Sequence, residues 1–352
     1  MDGRQLSWSK RVRGLLLGLT LGDAVGTSPS GLPASSPLRA GVSSQLAAFT
    51  TEGLIRASVR FAHKGICHPP TVVWHACCRW AYLQGIEPEL MREQWGPGSS
   101  HSWPDGWLAR VPALAQRRGS APATVTALKE SAPGTAEHPT TTSAGHHAVT
   151  TTLPGAALVS WKDGGFSLDL VRELAAQTHG SPEAHEAAAV AAAVAVHFID
   201  RGELDQLPDV VANASMSADV VDTACRAWSA GRETPGSGVL LARLAPHATA
   251  LAALSGSLYV LASFPEPEQL THALTLASQS HRRAAVTPLA GALLGARHGA
   301  DALPVDLVSR SELAWVMDTL ARDLALELSE GPGGSEYSPP TDPSWWSRYP
   351  GW

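Results

Sequence analysis

Four histidines in this sequence lie at or between predicted helix ends, where their imidazoles could take part in chemistry: His146, His147, His179 and His281. Imidazoles bind zinc or nickel rather than magnesium. Beside them, the carboxylate of Glu52 could serve as a general base. The alternative is that these histidines are polar groups of loops, because the side chains of adjacent residues such as His146 and His147 point apart in most backbones.

Two arginines, Arg282 and Arg283, precede a segment that predicts a buried helix. In that segment the larger apolar residues recur at helical spacing, and alanines and glycines fill the positions between them. We expect the helix to begin at Thr287–Pro288, because Thr can cap a helix and Pro is favoured at its first position, and to end at Gly299. The arginines would then lie in a loop at the positive end of a central helix, which is a suitable site for phosphate.

The segment from Lys10 to Val25 predicts a second helix, which carries Gly14, Gly18 and Gly22 at every fourth position. Such a stripe of small residues suits close packing against another helix, and the central helix is the expected partner. Asp23 is a lone carboxylate near the end of this segment. It is either a hydrogen-bonding group at a helix end or a group that points into a cleft.

The composition favours an all-α protein, since the 352 residues are 44% hydrophobic and the recurring apolar periodicity is helical. The formal charge of −6 argues against nucleic acid as the main partner. No apolar run has the length that spans a bilayer. The short apolar segment after the basic N-terminus contains glycines and an aspartate and lacks a convincing cleavage site. We therefore expect a cytoplasmic protein that does not contact a membrane.

Five motifs, in order along the chain, resemble those of the ADP-ribosylglycohydrolase family. They are RGLLLGLTLGDAVG at 13–26, FTTEG at 49–53, SAGHHAVTT at 143–151, TH with a following proline at 178–182, and HRRAA at 281–285 before the helix AGALLGARHG. The similarity extends from about residue 11 to residue 325. It implies a single compact domain of orthogonally packed helices, predicted to span residues 1–330. A tail rich in Pro, Gly and Trp follows, at residues 331–352.

The resemblance implies a chemistry, which is hydrolysis of a glycosidic bond between ADP-ribose and a target. In the family, two Mg²⁺ or Mn²⁺ ions occupy a central cleft and are held by Thr and Asp oxygens. The corresponding positions here hold Thr50, Thr51 and Glu52, and Arg282, Ala284 and Ala285. Hard cations need oxygen ligands, and two like unit charges about 4 Å apart repel by roughly 4 kcal/mol at an effective dielectric near 20. Because one carboxylate and one arginine now stand among these positions, we expect no metal cofactor.

The same resemblance assigns a set of residues to the ligand-binding cleft, with Glu52 as the one candidate catalytic residue. The set is Asp23, Thr50, Thr51, Gly145, His146, His147, His179, His281, Arg282 and Arg283.

These observations lead to three hypotheses. The first is a pseudoenzyme that keeps the fold and binds ADP-ribose, another nucleotide or an ADP-ribosylated protein; in its closed form, a salt bridge between Glu52 and Arg282 would fill the metal space. The second is a divergent hydrolase with chemistry rebuilt on histidine and Glu52. The third is an interaction protein, monomeric or weakly oligomeric. Its contacts could come from Trp345, Trp346 and Trp352, although docking of these tryptophans on the same chain is the expected role.

Overall fold

The computed structural model describes residues 3–28, 31–32, 36–86, 104–161 and 164–351. Within these ranges every regular element is a helix, and the only β pairing is three isolated bridges, which confirms the all-α prediction. The α-helices are α1 (Gly3–Thr27), α2 (Val42–Lys64), α3 (Pro69–Leu83), α4 (Pro122–Ala127), α5 (His147–Thr152), α6 (Gly155–Ser160), α7 (Asp169–Ala176), α8 (Pro182–Ile199), α9 (Leu207–Ala214), α10 (Ala218–Glu233), α11 (Gly238–Leu244), α12 (Ala250–Ser263), α13 (Leu270–Ser278), α14 (Arg283–His298), α15 (Val305–Arg310), α16 (Ala314–Glu330) and α17 (Trp345–Arg348).

The centre of the fold is the crossing of α1 and α14, which meet backbone to backbone. A Cβ atom added to Gly18 would lie 2.1 Å from the carbonyl oxygen of Gly291, and one added to Gly14 would lie 2.0 Å from that of Gly295. A Cβ atom added to Gly22 would lie 2.2 Å from the carbonyl oxygen of Thr287. The predicted glycine stripe and its predicted partner are therefore confirmed: any side chain larger than hydrogen would force these helices apart.

The start of the central helix was wrongly predicted, because α14 begins at Arg283 and contains Pro288. A turn at Ser280 continues directly into the helix: its hydroxyl accepts the N–H of Arg282 at 3.0 Å, and its carbonyl accepts the N–H of Arg283 at 3.1 Å. Pro288 lacks only the hydrogen bond to Ala284, an exposed residue in the first turn. The predicted end is confirmed, since Gly299 has φ +83° and its N–H bonds the carbonyl of Gly295 at 2.8 Å.

The C-terminal tail packs on α16 and α2 of the same chain. Trp345 is buried, and its indole N–H donates to Glu327 at 2.8 Å. Tyr349, also buried, donates its hydroxyl to Asp323. Arg60 of α2 donates to the carbonyl of Gly351. Trp345 thus takes the expected role of docking on its own chain, whereas Trp352 lies outside the described residues.

No helix in the described ranges is both long and apolar enough to cross a bilayer.

Candidate functional site

Glu52 lies in a cluster of four charged residues formed by α2, α3 and the loop at Asp105, whose side chain is 25% exposed while the other three are buried. Its Oε1 accepts from Arg56 at 2.8 Å and its Oε2 from Arg79 at 2.6 Å. The two arginines also pair with Asp105, at 3.1 Å and 3.6 Å. The Glu52 side chain is 0% exposed, and those of Arg56 and Arg79 are 3% and 5% exposed. We call Glu52, Arg56, Arg79 and Asp105 the charge cluster.

The predicted salt bridge between Glu52 and Arg282 was wrong, and the local packing explains why. Arg56 follows Glu52 by one helical turn, so both side chains lie on the same face of α2. Gly53 lets α3 approach this face, since a Cβ there would lie 2.8 Å from the Cα of Val73. The close approach of α3 places Arg79 against Glu52.

Opposite charges balance one another within the charge cluster. Burial raises the pKa of Asp105, but the charges of Arg79 and Arg56 outweigh it, and the pKa lies below its usual value. Burial lowers the pKa of Arg79, but Glu52 and Asp105 more than compensate, and the pKa lies above its usual value. Two carboxylates therefore face two guanidinium groups in the charge cluster.

Gly106 closes the charge cluster from the outside. It has φ +85°, and a Cβ there would lie 2.1 Å from Nη2 of Arg56 and 2.6 Å from Oε1 of Glu52. Only glycine adopts this conformation so close to the buried ion pairs. The sequence offered a signal for Arg56, which is four residues after Glu52, but none that linked Arg79 or Asp105 to them.

Thr50 and Thr51 are fully buried beside Glu52 on α2. The Thr51 hydroxyl donates to the carbonyl of Ala47 at 2.7 Å, within the helix. Thr50 lies beside the thiol of Cys77, whose pKa burial raises to about 12. Both hydroxyls are thus enclosed between helices.

Asp23 acts as a hydrogen-bonding group at a helix end. Its Oδ2 accepts from the N–H of Gly41 at 2.8 Å and from the N–H and hydroxyl of Ser44 at 2.9 and 2.6 Å. These bonds satisfy donors at the start of α2, where an acidic group is favourable. Burial raises the pKa of Asp23, and the hydrogen bonds offset this only in part.

Three of the predicted histidines lie together around Gly145, and we call them the imidazole cluster. The ring centroids of His146 and His147 are 4.1 Å apart, so these neighbours do not point apart as expected. A Cβ on Gly145 would lie 3.4 Å from Nε2 of His179, so the third ring is adjacent. His146 has helical backbone angles and directly precedes α5, which begins at His147.

The imidazole cluster is held by oxygen atoms of neighbouring elements. His147 contacts the hydroxyl of Ser43 at the start of α2, at 3.4 Å, and His179 contacts that of Thr178 at 2.8 Å. His146 contacts the carbonyl of Ala248 at 3.3 Å. The pKa of His179 is lowered to about 3, mainly by burial and to a smaller extent by the neighbouring His146 and His185. Burial also lowers the pKa values of His146 and His147, so all three rings are neutral at physiological pH.

His281, Arg282 and Arg283 form a basic rim at the start of α14. His281 and Arg282 are exposed, and Arg283 is half-buried. Arg282 donates its Nε–H to the carbonyl of Pro246 at 3.1 Å. Across the described chain neither arginine forms a salt bridge. The loop 246–249 contacts both this rim and the imidazole cluster, which places them side by side.

The predicted site residues therefore fall into two groups. Asp23, the imidazole cluster and the basic rim surround the C-terminal end of α1 and the starts of α2 and α14. Glu52 and Thr50 instead face α3. Glu52, the candidate catalytic carboxylate, thus binds Arg56 and Arg79 rather than any other residue of the predicted cleft.

These residues do not fit a pair of Mg²⁺ or Mn²⁺ ions. Both oxygens of Glu52 already bind guanidinium groups, and the other corresponding positions offer buried Thr hydroxyls, an arginine and two alanines. Among the residues that the structure describes, no group of three His, Cys, Asp or Glu side chains is placed to hold a metal ion.

Comparisons with known proteins agree with the fold. The family model for ADP-ribosylglycohydrolases matches residues 4–333. A solved structure described as an ADP-ribosylglycohydrolase-related protein complex is similar, with a TM-score of 0.56 and 20% sequence identity over 91% of this chain and 98% of that one. At this identity the similarity shows the fold alone. The comparison with curated proteins gave no significant match. Because the family model covers nearly the whole chain, this protein belongs to the ADP-ribosylglycohydrolase family.

Proposed function

We propose that this chain is a non-catalytic member of its family, in which the two-metal chemistry is lost and the cleft binds ADP-ribose or a related phosphate ligand. The observation that carries the proposal is the state of Glu52. It is the one carboxylate at the metal-ligand positions, and it serves as the counter-ion of Arg56 and Arg79.

Recruiting Glu52 to a metal would disrupt the charge cluster. Removing one partner of a buried ion pair costs about 3–5 kcal/mol, because the other charge is left buried without compensation. Here Arg56 and Arg79 would share the single carboxylate of Asp105. Glu52, Arg56 and Arg79 also lie on packed helices, and Gly106 covers Glu52 and Arg56, which leaves little space for a hydrated ion. The same argument weighs against Glu52 as a general base.

The basic rim supports the ligand-binding half of the proposal. Arg282 and Arg283 keep guanidinium donors that no carboxylate in the described ranges neutralises, and guanidinium groups match phosphate oxygens in pairs. The neighbouring imidazole cluster adds neutral donors and acceptors beside the rim. A diphosphate bridging two hydroxylated sugars fits this mixture, and an ADP-ribosyl group attached to a protein would present the same chemistry.

Calorimetric titration of ADP-ribose tests ligand binding. We expect saturable binding to the wild type and about ten-fold weaker binding to Arg282→Ala, since a charge-assisted hydrogen bond contributes about 1.5–3 kcal/mol. Arg322→Ala, an exposed arginine of α16 with its own ion pair, is the control and should bind like the wild type. Absence of heat at millimolar ligand would exclude this ligand class and leave a role in protein interaction. In that case light scattering, expected to show a monomer or weak oligomer, would be the next measurement.

The alternative function is a divergent hydrolase built on the imidazole cluster. It is favoured by one observation: two neutral imidazoles, those of His147 and His179, contact the hydroxyls of Ser43 and Thr178. A metal-dependent form requires zinc or nickel bound by these rings. Metal analysis of protein purified without an affinity tag decides this point, because less than about a tenth of an equivalent of either metal leaves no such chemistry.

A further inference from the structure

A groove between α8, α10, α11 and α12 is lined by residues outside every motif that carries the family resemblance. It has a volume of about 470 Å³, within the range of small-molecule sites. Its polar lining consists of Glu183, Thr223, Arg226, Arg243, Thr249 and Ser255. Apolar walls come from the α11–α12 connection and the first turn of α12.

The groove contains cationic donors that are available to an anion. Arg243 is exposed and forms no ion pair or hydrogen bond with any described residue. Arg226 pairs with Asp222 at 3.2 Å, but both side chains are about two-thirds exposed. Exposed pairs of this kind are weak. A phosphate can therefore compete with Asp222 for Arg226 while it binds Arg243.

A second observation is independent of these charges. Ser255, which lines the groove, is 0% exposed, and its hydroxyl has no hydrogen-bond partner among the described residues. Buried polar groups are normally satisfied, so this hydroxyl favours an occupant that supplies a partner. At the edge of the groove, Glu183 is exposed and offers a carboxylate that can accept hydrogen bonds from hydroxyl groups.

We propose that this groove binds a sugar phosphate. The phosphate meets Arg226 and Arg243, and the sugar hydroxyls meet Glu183 and Ser255. The site borders the basic rim, since Pro246 lines the groove and accepts a hydrogen bond from Arg282. It nevertheless uses different side chains, and the proposal does not rest on the function proposed above.

Titration of ribose 5-phosphate into the full-length protein tests the site. We expect a saturable event that Arg243→Ala weakens about ten-fold, as loss of a charge-assisted contact requires. Ser255→Ala should weaken binding by a smaller factor, about three-fold. Arg232→Ala, on the same helix as Arg226 but outside the groove, should leave the affinity unchanged.

Three results would overturn the proposal: no saturable binding at 10 mM, equal binding by wild type and Arg243→Ala, or loss of binding in Arg282→Ala alone. An affinity for inorganic phosphate equal to that for ribose 5-phosphate would contradict the roles of Glu183 and Ser255. Circular dichroism of each variant confirms that the comparison is between folded proteins.

Discussion

The charge cluster makes a quantitative prediction about the replacement of Glu52. In Glu52→Gln the shape is kept, but Arg56 and Arg79 retain only Asp105, which leaves one uncompensated buried positive charge. At an effective dielectric near 20, two unit charges about 4 Å apart interact by roughly 4 kcal/mol, and broken buried pairs cost about 3–5 kcal/mol. We therefore expect Glu52→Gln to lower the free energy of unfolding by about 3–5 kcal/mol.

A double-mutant cycle separates this electrostatic role from general packing. Arg79→Met alone leaves two carboxylates against Arg56 and should also cost about 3–5 kcal/mol. The double variant restores one carboxylate to one guanidinium, so its cost should fall below the sum of the single costs by about 2 kcal/mol or more. Urea unfolding, followed by far-ultraviolet circular dichroism, measures all four proteins. The exposed variant Arg322→Met is the control and should change stability by less than about 1 kcal/mol.

A loss of less than about 1 kcal/mol in Glu52→Gln, or additive effects of the two substitutions, would contradict a counter-ion role for Glu52. Either result would mean that Glu52 is not held as a counter-ion and is available for other chemistry.

Three further predictions concern the fold and its pH dependence. Gly18→Ala should lower the free energy of unfolding by about 2 kcal/mol or more, because its Cβ would lie 2.1 Å from the Gly291 carbonyl oxygen. Gly238→Ala is the control and should be tolerated, since the nearest atom is 3.6 Å away. Equal effects of the two substitutions would contradict the packing of α1 on α14. Glu327→Gln should be more stable than wild type above pH 7, by about 2–3 kcal/mol. Burial raises the Glu327 pKa to about 7 in the folded protein, so the wild type loses stability as pH rises from about 4.5 through 7, and parallel stability curves for the two proteins would show the assignment to be wrong. In contrast, burial lowers the His179 pKa to about 3, so the unfolded chain takes up this proton before the folded protein does. The free energy of unfolding of the wild type should therefore fall by about 1.4 kcal/mol per pH unit as pH falls from about 6.5 toward 3. His179→Gln should lose stability less steeply over this range, and an equal slope would exclude this role.

The central contact of the fold, the crossing of α1 and α14, could be predicted because it depends on residue types at fixed spacing within each helix. Glycines at every fourth position and a partner helix of small residues specify a close crossing, and the structure has it. The start of α14 could not be predicted, since Pro288 is usual at a first helical position. Here the turn at Ser280 extends the helix N-terminally past that signal.

The site was only partly predictable for a physical reason. The imidazole cluster follows from segments that the family motifs already bring together. The partners of Glu52 instead depend on how closely α3 approaches α2, which Gly53 controls, and on a loop closed by Gly106 with positive φ. Neither a distance between helices nor the path of a loop is encoded at a fixed spacing from Glu52.

Calorimetric titration of Mn²⁺ into untagged, metal-free protein at neutral pH tests whether the two-metal site has been lost. We expect no saturable binding below about 1 mM, because Glu52 stays paired with Arg56 and Arg79 and the remaining positions lack acidic ligands. Tight binding of two equivalents, lost in Glu52→Gln, would contradict it.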